Sequence, residues 1–409
     1  MTKILIVDDD SDTLNLLDLL LVRMGHQVFQ ALDGKQALEK AAREQPDLVI
    51  LDVMMPGMDG FEVARRLRGV PGNACLPILM FTAKSQPQDR ATGYEAGATL
   101  YLTKPVQPLI LRTYVARLLA SRPSEPANPD GPGYLVGVTA AKGGQGVSTI
   151  ALNLAIAYHN SQQVDVIAAE MKPGQGSWAL ELDIKDAAGL QDLLRLEPEQ
   201  ITGEMVARHL RRTMYGVQLL LASTASADVA YATRLSQFQM IIRHLLCRAP
   251  LVVLDIGSNF HPMYDELLQA CDEIILVTEP QPVEMKRSRI LVSELEALGF
   301  GSQKALTLVA SRHRKIEAYL SASQAEQILG RGITVEFSGA PHQARLAAAQ
   351  AHPLSQIQPD GELAHQFGIL AEHLARHVQE FQEHTLPEKQ GVNGLPPASQ
   401  GDVYRIVEP

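Results

Sequence analysis

The stretch LVILDVMMPG at residues 48–57 places an acidic side chain, Asp52, directly between a short apolar run and a turn. An earlier run, ILIV at residues 4–7, ends in the same way on Asp8 and Asp9. Short apolar runs bounded by turn-forming residues indicate buried strands. Since parallel strands open on one edge of a sheet, the sequence predicts three carboxylates in one pocket.

Three like charges in one pocket raise one another's pKa unless a cation neutralises them. Mg²⁺ suits such a site because it prefers hard oxygen ligands. Two further strand ends add Thr82, after ILMF at residues 78–81, and Lys104, after LYL at residues 100–102. A carboxylate nucleophile beside a metal ion, a hydroxyl and an ammonium can accept a phosphoryl group.

This set of residues resembles the receiver domain of two-component response regulators, over roughly the first 120 residues, about one domain. The resemblance implies that Asp52 is the phospho-acceptor and that a sensor histidine kinase is the partner. It also implies that Mg²⁺ is held by Asp8, Asp9, Asp52 and the backbone carbonyl of Met54, with Asp9 the more direct ligand of the acidic pair.

The resemblance further implies that Thr82 and Tyr101 are switch residues, that Lys104 pairs with the phosphate, and that the Lys104–Pro105 bond is cis. On phosphorylation Tyr101 is expected to turn inward and to reshape the face formed by the helix Gln88–Ala96 and the strand Thr99–Thr103. The alternative is that each acid is a solvated loop residue, which leaves the order of these five residues at four strand ends unexplained.

The rest of this region alternates short apolar runs with amphipathic stretches, which is typical of a doubly wound α/β fold. The resemblance specifies a flavodoxin-like (CheY-like) receiver. The predicted helices are Ser11–Met24, with Ser11 as N-cap, Gly34–Glu44, Phe61–Leu67, Gln88–Ala96 and Pro108–Ala120.

Composition limits the function classes. The 409 residues suit two domains, and a net charge of −10 disfavours non-specific DNA binding. No signal peptide and no run of about 20 apolar residues is found, so we expect a cytoplasmic protein without stable membrane insertion. Cys75, Cys247 and Cys271 are few and odd in number, which predicts a reducing compartment and buried thiols.

The sequence predicts four segments: a receiver at residues 1–120, a linker at 121–132, a second domain at 133–384 and a disordered tail at 385–409. The linker contains four prolines and no apolar pattern. The tail is rich in proline and glycine without periodicity.

The second domain begins with a strand, YLVGVTA at 134–140, followed by KGGQGVST at 142–149 and an apolar helix at 150–158. Glycines between a strand and a helix N-terminus let backbone N–H groups point at phosphate. The loop resembles the deviant phosphate loop of the ParA/MinD ATPases and predicts a P-loop NTPase-like domain. The resemblance implies that Lys142 reaches a partner's nucleotide across a dimer, that Ser148 is the magnesium-ligating hydroxyl and that Asp255 holds a Mg²⁺-bound water. It assigns the remaining nucleotide contacts to Gly143, Gly144, Gly146 and Thr149.

Two departures predict a degenerate ATPase. Val147 stands where the family has its main phosphate lysine, and alignment puts Glu170 and Lys172 at the two acids of the family's catalytic element. The loss of one charge-assisted contact costs about 1.5–3 kcal/mol, so ATP should bind weakly at most and hydrolysis should be negligible. Lys172 either restores phosphate charge, fills the pocket itself, or is a drifted surface lysine.

Degenerate loops behind a receiver, and the stretch Trp178–Leu194, resemble CpaE/TadZ proteins, which localise and assemble type IVb (Flp) pili. That resemblance implies a homodimer and pilus or secretion assembly proteins as partners, with recruitment to the inner membrane or pole. A genuine ATPase with a phosphorylation-gated dimer cycle is the alternative. A transcription factor is disfavoured because no helix-turn-helix or basic stripe follows the receiver.

The last helical stretch has apolar residues at helical spacing from Leu363 to Phe381, and we interpret it as packing on the domain rather than on lipid. His365, His373 and His377 fall near one of its faces. Because no carboxylate-water arrangement supports a zinc site, we interpret them as solvated rather than as zinc ligands.

Overall fold

The computed structural model describes residues 2–70, 73, 75–84, 86–120, 133–185, 187–258, 262–312 and 319–385. The predicted linker and all but the first residue of the predicted tail lie outside these ranges. The described residues form a five-stranded and an eight-stranded sheet, each flanked by helices. The predicted fold class, two doubly wound α/β units, is confirmed.

The first sheet contains β1 (Lys3–Val7), β2 (Gln27–Ala31), β3 (Leu48–Leu51), β4 (Ile78–Thr82) and β5 (Leu100–Thr103). Its helices are α1 (Ser11–Arg23), α2 (Gly34–Glu44), α3 (Gly60–Arg68), α4 (Pro87–Glu95) and α5 (Pro108–Ala120). All strands are parallel in the order β2-β1-β3-β4-β5, which is the flavodoxin-like order. Ligands of this fold bind where the order reverses, between β1 and β3.

Strand β3 shows why the apolar runs are continuous. Val49 and Leu51 pack into the core under α2 and α3, whereas Leu48 and Ile50 pack into the core under α1 and α5. A parallel strand covered on both faces has no polar side to alternate with. Each such side chain contributes about 1.5–3 kcal/mol by its burial.

The predicted N-cap of α1 is wrong by one residue. Asp10 caps the helix, and its carboxylate accepts hydrogen bonds from the backbone N–H groups of Asp12 and Thr13. The positive end of the helix dipole also stabilises the negative charge of a carboxylate, whereas a serine hydroxyl carries no charge.

The second sheet contains β6 (Tyr134–Ala140), β7 (Val166–Glu170), β8 (Arg211–Arg212), β9 (Gln218–Leu220), β10 (Leu251–Gly257), β11 (Glu273–Thr278), β12 (Ala305–Ser311) and β13 (Val335–Phe337). Its helices are α6 (Val147–Gln162), α7 (Trp178–Glu181), α8 (Gly189–Leu194), α9 (Gly203–His209), α10 (Leu235–Leu246), α11 (Tyr264–Ala270), α12 (Pro282–Ala297), α13 (Ala322–Leu329), α14 (Pro341–Gln350) and α15 (Glu362–Thr385). Three short 3₁₀ helices span Pro198–Gln200, Ser226–Thr233 and Leu354–Gln356. The strand order is β13-β12-β11-β6-β10-β7-β9-β8, and β8 runs antiparallel to β9.

Helix α15 packs on the second sheet as its apolar spacing predicts. Its residues Leu363, Phe367, Leu370, Leu374 and Val378 are buried in one core with α6. Within the described ranges, no helix has the length and apolar character needed to cross a membrane.

The two sheets are joined through α4 and α10, and a buried arginine lies at the centre of this contact. Arg243 of α10 donates to the carbonyl oxygens of Gly97 (2.6 Å) and Ala98 (3.4 Å) and to Thr99 Oγ1 (3.0 Å). Arg68 donates to the same Gly97 oxygen from the receiver side, at 2.8 and 3.0 Å. Burial lowers the pKa of Arg243 to about 10, and burial followed by the charge of Arg243 lowers the pKa of Arg68.

Further contacts surround the arginines. Arg90 of α4 forms an ion pair with Glu199, and Arg117 of α5 donates to the backbone oxygen of Glu199 at 2.9 Å. Cys75 and Cys247 form a disulfide that joins the loop before β4 to the end of α10. The prediction of reduced, buried thiols is therefore wrong for this pair and holds for Cys271, which is free and buried. A sequence separation of 172 residues hid the pairing, because only the docking of the domains brings the two thiols together.

Candidate functional site

The first cluster lies at the carboxyl ends of β1 and β3, where the strand order reverses. Asp8, Asp9 and Asp52 each offer a carboxylate oxygen within 4.8 Å of the others. Lys104 Nζ lies 2.5 Å from Asp8 Oδ2 and 3.2 Å from Asp52 Oδ1. The structure thus brings together the four charged residues that the sequence predicts.

The electrostatics of this pocket leave it acidic. Burial raises the pKa of Asp8, although hydrogen bonds from Lys104 and from the backbone of Asp10 oppose the shift. Burial disfavours the Lys104 ammonium, but its contacts with Asp8 and Asp52 outweigh that effect and raise its pKa. Three carboxylates face one ammonium, and the exposed Asp9 is open to solvent. A hard divalent cation such as Mg²⁺ fits this donor set.

The two carboxylate oxygens of Asp52 have different partners, a backbone N–H group for Oδ2 and the Lys104 ammonium for Oδ1. The backbone N–H of Met54 donates to Asp52 Oδ2 at 2.7 Å. Gly60 allows the backbone to pass closely, because a Cβ there would lie 2.2 Å from the Asp52 carbonyl oxygen. The Lys104–Pro105 bond is cis, as the family resemblance implies.

Thr82 and Tyr101 connect this pocket to α4. Thr82 is fully buried at the end of β4, and Tyr101 is buried with its hydroxyl donating to the Lys84 carbonyl oxygen at 3.2 Å. A Cβ at Gly93 of α4 would lie 2.6 Å from the Tyr101 ring. Tyr101 therefore lies inward against α4, and its movement on phosphorylation stays a prediction.

The second cluster surrounds the loop between β6 and α6. Gly144 and Gly146 have φ angles of 81° and 90°, so the loop backbone needs glycine at both positions. Val147, at the position of the missing lysine, starts α6 and is buried in the core. Val147 therefore cannot supply the positive charge of the phosphate-binding lysine that the ParA/MinD ATPases carry at this position.

Lys172 lies inside this pocket. Its Nζ is 2.6 Å from Ser148 Oγ and 2.6 Å from Asp255 Oδ2, and its side chain is nearly buried. These two partners are the residues that the ParA/MinD resemblance assigns to magnesium. Of the three alternatives for Lys172, the drifted surface lysine disagrees with this burial, while the pocket-filling one matches the contacts.

Glu170, the aligned counterpart of a catalytic aspartate, holds backbone instead of water. Its carboxylate accepts hydrogen bonds from the N–H groups of Ser177 (2.6 Å), Trp178 (3.1 Å) and Ala222 (3.0 Å). Burial raises its pKa to about 7, although Lys172 and these hydrogen bonds oppose the shift. No sequence pattern indicates this anchoring role, because the partners of Glu170 are backbone groups.

Other predicted loop residues have local partners. Lys142 pairs with Glu284 of α12 at 2.9 Å rather than projecting freely. The backbone oxygen of Thr149 accepts from Asn153 at 2.7 Å. An apolar cavity of about 290 Å³ opens beside the loop, between Gly146 and Phe337.

The histidines of α15 correct another interpretation. His365 is exposed, but His373 and His377 are half-buried and face the fully buried Glu273 of β11. No sequence signal connects Glu273 to His377, which is 104 positions away, since only the packing of α15 on the sheet places them side by side.

Three comparisons relate this chain to known proteins. The family model for the response regulator receiver domain matches residues 4–116. The chain is 46% identical over 127 residues to the alkaline phosphatase synthesis transcriptional regulatory protein PhoP of Bacillus subtilis, covering 31% of this chain and 51% of that protein. It is 38% identical over 120 residues to protein PilH of Pseudomonas aeruginosa, covering 29% of this chain and 99% of PilH.

The remainder resembles solved ATPases in fold. The cell division ATPase MinD of Pyrococcus furiosus superposes on 60% of this chain and 99% of its own, with a TM-score of 0.52 at 18% identity. The septum site-determining protein MinD of Pyrococcus horikoshii, solved with Mg-ADP, covers 61% of this chain and 98% of its own, with a TM-score of 0.51 at 16% identity. The chain spans about half the length of PhoP and nearly all of PilH and the two MinD proteins.

Proposed function

Because the chain belongs to the response regulators through its receiver domain and carries a MinD/ParA-type fold behind it, we propose that phosphorylation of Asp52 controls how the receiver docks on that second domain. The observation that supports this most is the contact of α4 with α10, centred on Arg243. In this arrangement α10 of the same chain covers part of the receiver face that phosphorylation is expected to reshape.

The phosphoryl transfer follows from the acidic pocket. An oxygen of Asp52 attacks phosphorus, and the bond to the donor, a phosphohistidine or acetyl phosphate, breaks. Asp8, Asp9, Asp52 and the Met54 carbonyl would hold Mg²⁺, which supplies charge stabilisation to the transferred oxygens. Lys104 leaves Asp8 to pair with the phosphate, which adds about −1.5 to −2 charge to the pocket.

The signal then reaches α4 by direct packing. Thr82 lies at the end of β4, and Tyr101 packs against Gly93 of α4. A shift of Thr82 toward the phosphate alters the space beside Tyr101, and α4 moves with it. Because α4 contacts α10, the docked arrangement is weakened or strengthened by the state of Asp52.

The second domain is proposed to act without ATP turnover. Lys172 places an ammonium between Ser148 and Asp255, Val147 offers no charge, and Glu170 is bound to backbone. Each of these differs from what hydrolysis needs: a phosphate lysine, a magnesium seat and a carboxylate that orients water. The domain then serves as a protein-binding module, consistent with the CpaE/TadZ resemblance.

Within that framework we assign the protein to the localisation or assembly of a type IVb (Flp) pilus. The assignment rests on the resemblance of residues 178–194 and of the degenerate loop. Its proposed partners are a sensor histidine kinase and pilus or secretion assembly proteins, in the cytoplasm or at the inner membrane. A homodimer through the α4 face would require the receiver to leave α10 first, since the same face cannot serve both contacts.

The second candidate is a phosphorylation-gated ATPase, and one observation favours it. The apolar cavity beside Gly146 has room for a planar ring next to a loop whose glycines adopt the angles of a phosphate cradle. Steady release of phosphate from ATP, abolished by Ser148→Ala, would support this candidate over the first.

Hydrogen exchange tests the docking proposal. The whole chain, kept reduced so that Cys75 and Cys247 do not hold the domains, is compared with and without beryllofluoride and Mg²⁺. Exchange should change in peptides from both α4 and α10, and Asp52→Asn should remove the effect. Protection confined to peptides around Asp52, with α10 unaltered, would contradict the proposal.

A further inference from the structure

A carboxylate and two imidazoles meet on the face of the second domain that carries β11, β12 and the last turns of α15. Glu273, His373 and His377 each offer one ligand atom, and these atoms lie within 4.8 Å of one another. His373 and His377 are four residues apart on one helix, so their rings lie on the same face, with centroids 4.5 Å apart. This cluster is separate from the acidic pocket and from the phosphate loop.

The structure assigns this cluster, we propose, as a binding site for a late divalent transition metal such as Zn²⁺. Two imidazoles and one carboxylate are a ligand set that Zn²⁺ takes in proteins. A tetrahedral site with bonds of about 2.0–2.1 Å needs ligand atoms roughly 3.3 Å apart. His377 Nδ1 is already 2.9 Å from Glu273 Oε2, and His373 reaches the site by rotation of a half-buried ring.

The surroundings provide the support that metal ligands require. Thr307 of β12 donates to Glu273 Oε1 at 2.5 Å and lies 3.2 Å from His373 Nε2. The Tyr134 hydroxyl donates to Glu273 Oε2 at 3.3 Å. These hydrogen bonds hold the fully buried Glu273 carboxylate in place, with Oε2 directed toward His377.

A fourth ligand position can open to solvent. A surface cleft bordered by Tyr134, Lys304, His373 and Phe381 runs past the cluster, so a water or a partner side chain can complete the metal shell. Three protein ligands with an open position are the arrangement of zinc sites that bind a further molecule.

Arg376 gives the proposal a distinctive consequence. Its Nη2 lies 3.2 Å from His373 Nδ1, on the side away from Thr307, and the arginine is exposed. A metal ion bound to His373 Nε2 requires the ring proton to be on Nδ1. The Nδ1–H group would then point at the Arg376 guanidinium, which is unfavourable because both groups are hydrogen-bond donors and the guanidinium is positively charged. Arg376→Ala should therefore tighten metal binding.

The test uses untagged full-length protein stripped of metal, with Mg²⁺ in excess to occupy the receiver acids. It is titrated with Co²⁺, followed by visible absorption, and then with Zn²⁺ by calorimetry. We expect one equivalent with a tetrahedral Co²⁺ spectrum that Zn²⁺ abolishes. His373→Ala, which spares the His377–Glu273 pair, should weaken binding at least about 100-fold, and Thr307→Val about 10-fold.

His365→Ala is the matched control, a histidine of the same helix outside the cluster, and should bind like the wild type. Thermal unfolding checks that each variant folds, and Zn²⁺ should raise the midpoint of the wild type but not of His373→Ala. Binding that is absent in folded wild type, or that is equal in wild type and His373→Ala, would overturn the proposal.

Discussion

Both domains place a lysine among acids at the carboxyl ends of a parallel sheet, but the two lysines meet different charges. Lys104 faces Asp8 and Asp52, with Asp9 beside them, so three carboxylates share one ammonium. Lys172 pairs with the Asp255 carboxylate and with the Ser148 hydroxyl.

The difference lies in how much charge is left for a metal ion. The receiver pocket keeps a surplus of negative charge, which favours Mg²⁺ and the phosphoryl group that it helps to bind. In the second pocket the ammonium and Asp255 offset each other. Burial raises the pKa of Glu170 to about 7, so near neutral pH this residue adds less than a full negative charge. Lys104 therefore assists a metal site in the receiver, whereas Lys172 takes the place of the metal ion in the second domain.

The largest expected effect is on phosphorylation. Asp52→Asn should abolish labelling by radioactive acetyl phosphate in the presence of Mg²⁺, because an amide cannot act as the nucleophile. Asp33→Asn, an N-cap of α2 outside the pocket, is the control and should label normally. Equal labelling of Asp52→Asn and wild type would show that Asp52 is not the phospho-acceptor and would contradict the contrast between the two pockets.

The next effect concerns the contact between the domains. Arg243→Ala leaves buried backbone oxygens with fewer donors, which should cost about 2–4 kcal/mol of unfolding free energy. Urea denaturation of the reduced protein measures it, with Arg208→Ala, an exposed helix arginine, as control. A midpoint equal to that of the control would mean that the docked arrangement contributes little.

A smaller effect is the pH dependence from Glu170. Burial raises its pKa from 4.5 to about 7 in the folded state, so the folded state binds the proton more tightly than the unfolded chain. Its contribution to stability is therefore greatest below pH 4.5 and falls as pH rises to about 7, by about 1–3 kcal/mol. Glu170→Gln should flatten the fall in urea midpoint between pH 5 and pH 8, and exposed Glu204→Gln should not.

The sequence predicts the fold well where local patterns determine structure. The apolar runs before Asp8 and Asp52 mark strands, and the glycines at 144 and 146 mark a loop with positive φ angles. Helices α2 and α5 have the bounds that the sequence predicts.

What the sequence could not show depends on distant segments. Arg243 binds backbone carbonyls of another domain, and the Cys75–Cys247 bond follows from that docking. Glu273 of β11 reaches His377 only because α15 packs on the second sheet. The sequence leaves three alternatives open for Lys172, because an alignment gives its place in the chain but not the direction of its side chain.

The most direct test of the contrast between the two pockets uses Trp178, the only tryptophan of the chain. Its indole N–H donates to the Ser148 carbonyl oxygen at 3.0 Å, so its fluorescence reports on the phosphate loop. Mg-ATP is titrated into wild type and Lys172→Ala. If Lys172 replaces the metal, the wild type shows no saturable change up to millimolar ATP and Lys172→Ala responds. A saturable response of the wild type that Lys172→Ala weakens would contradict this account.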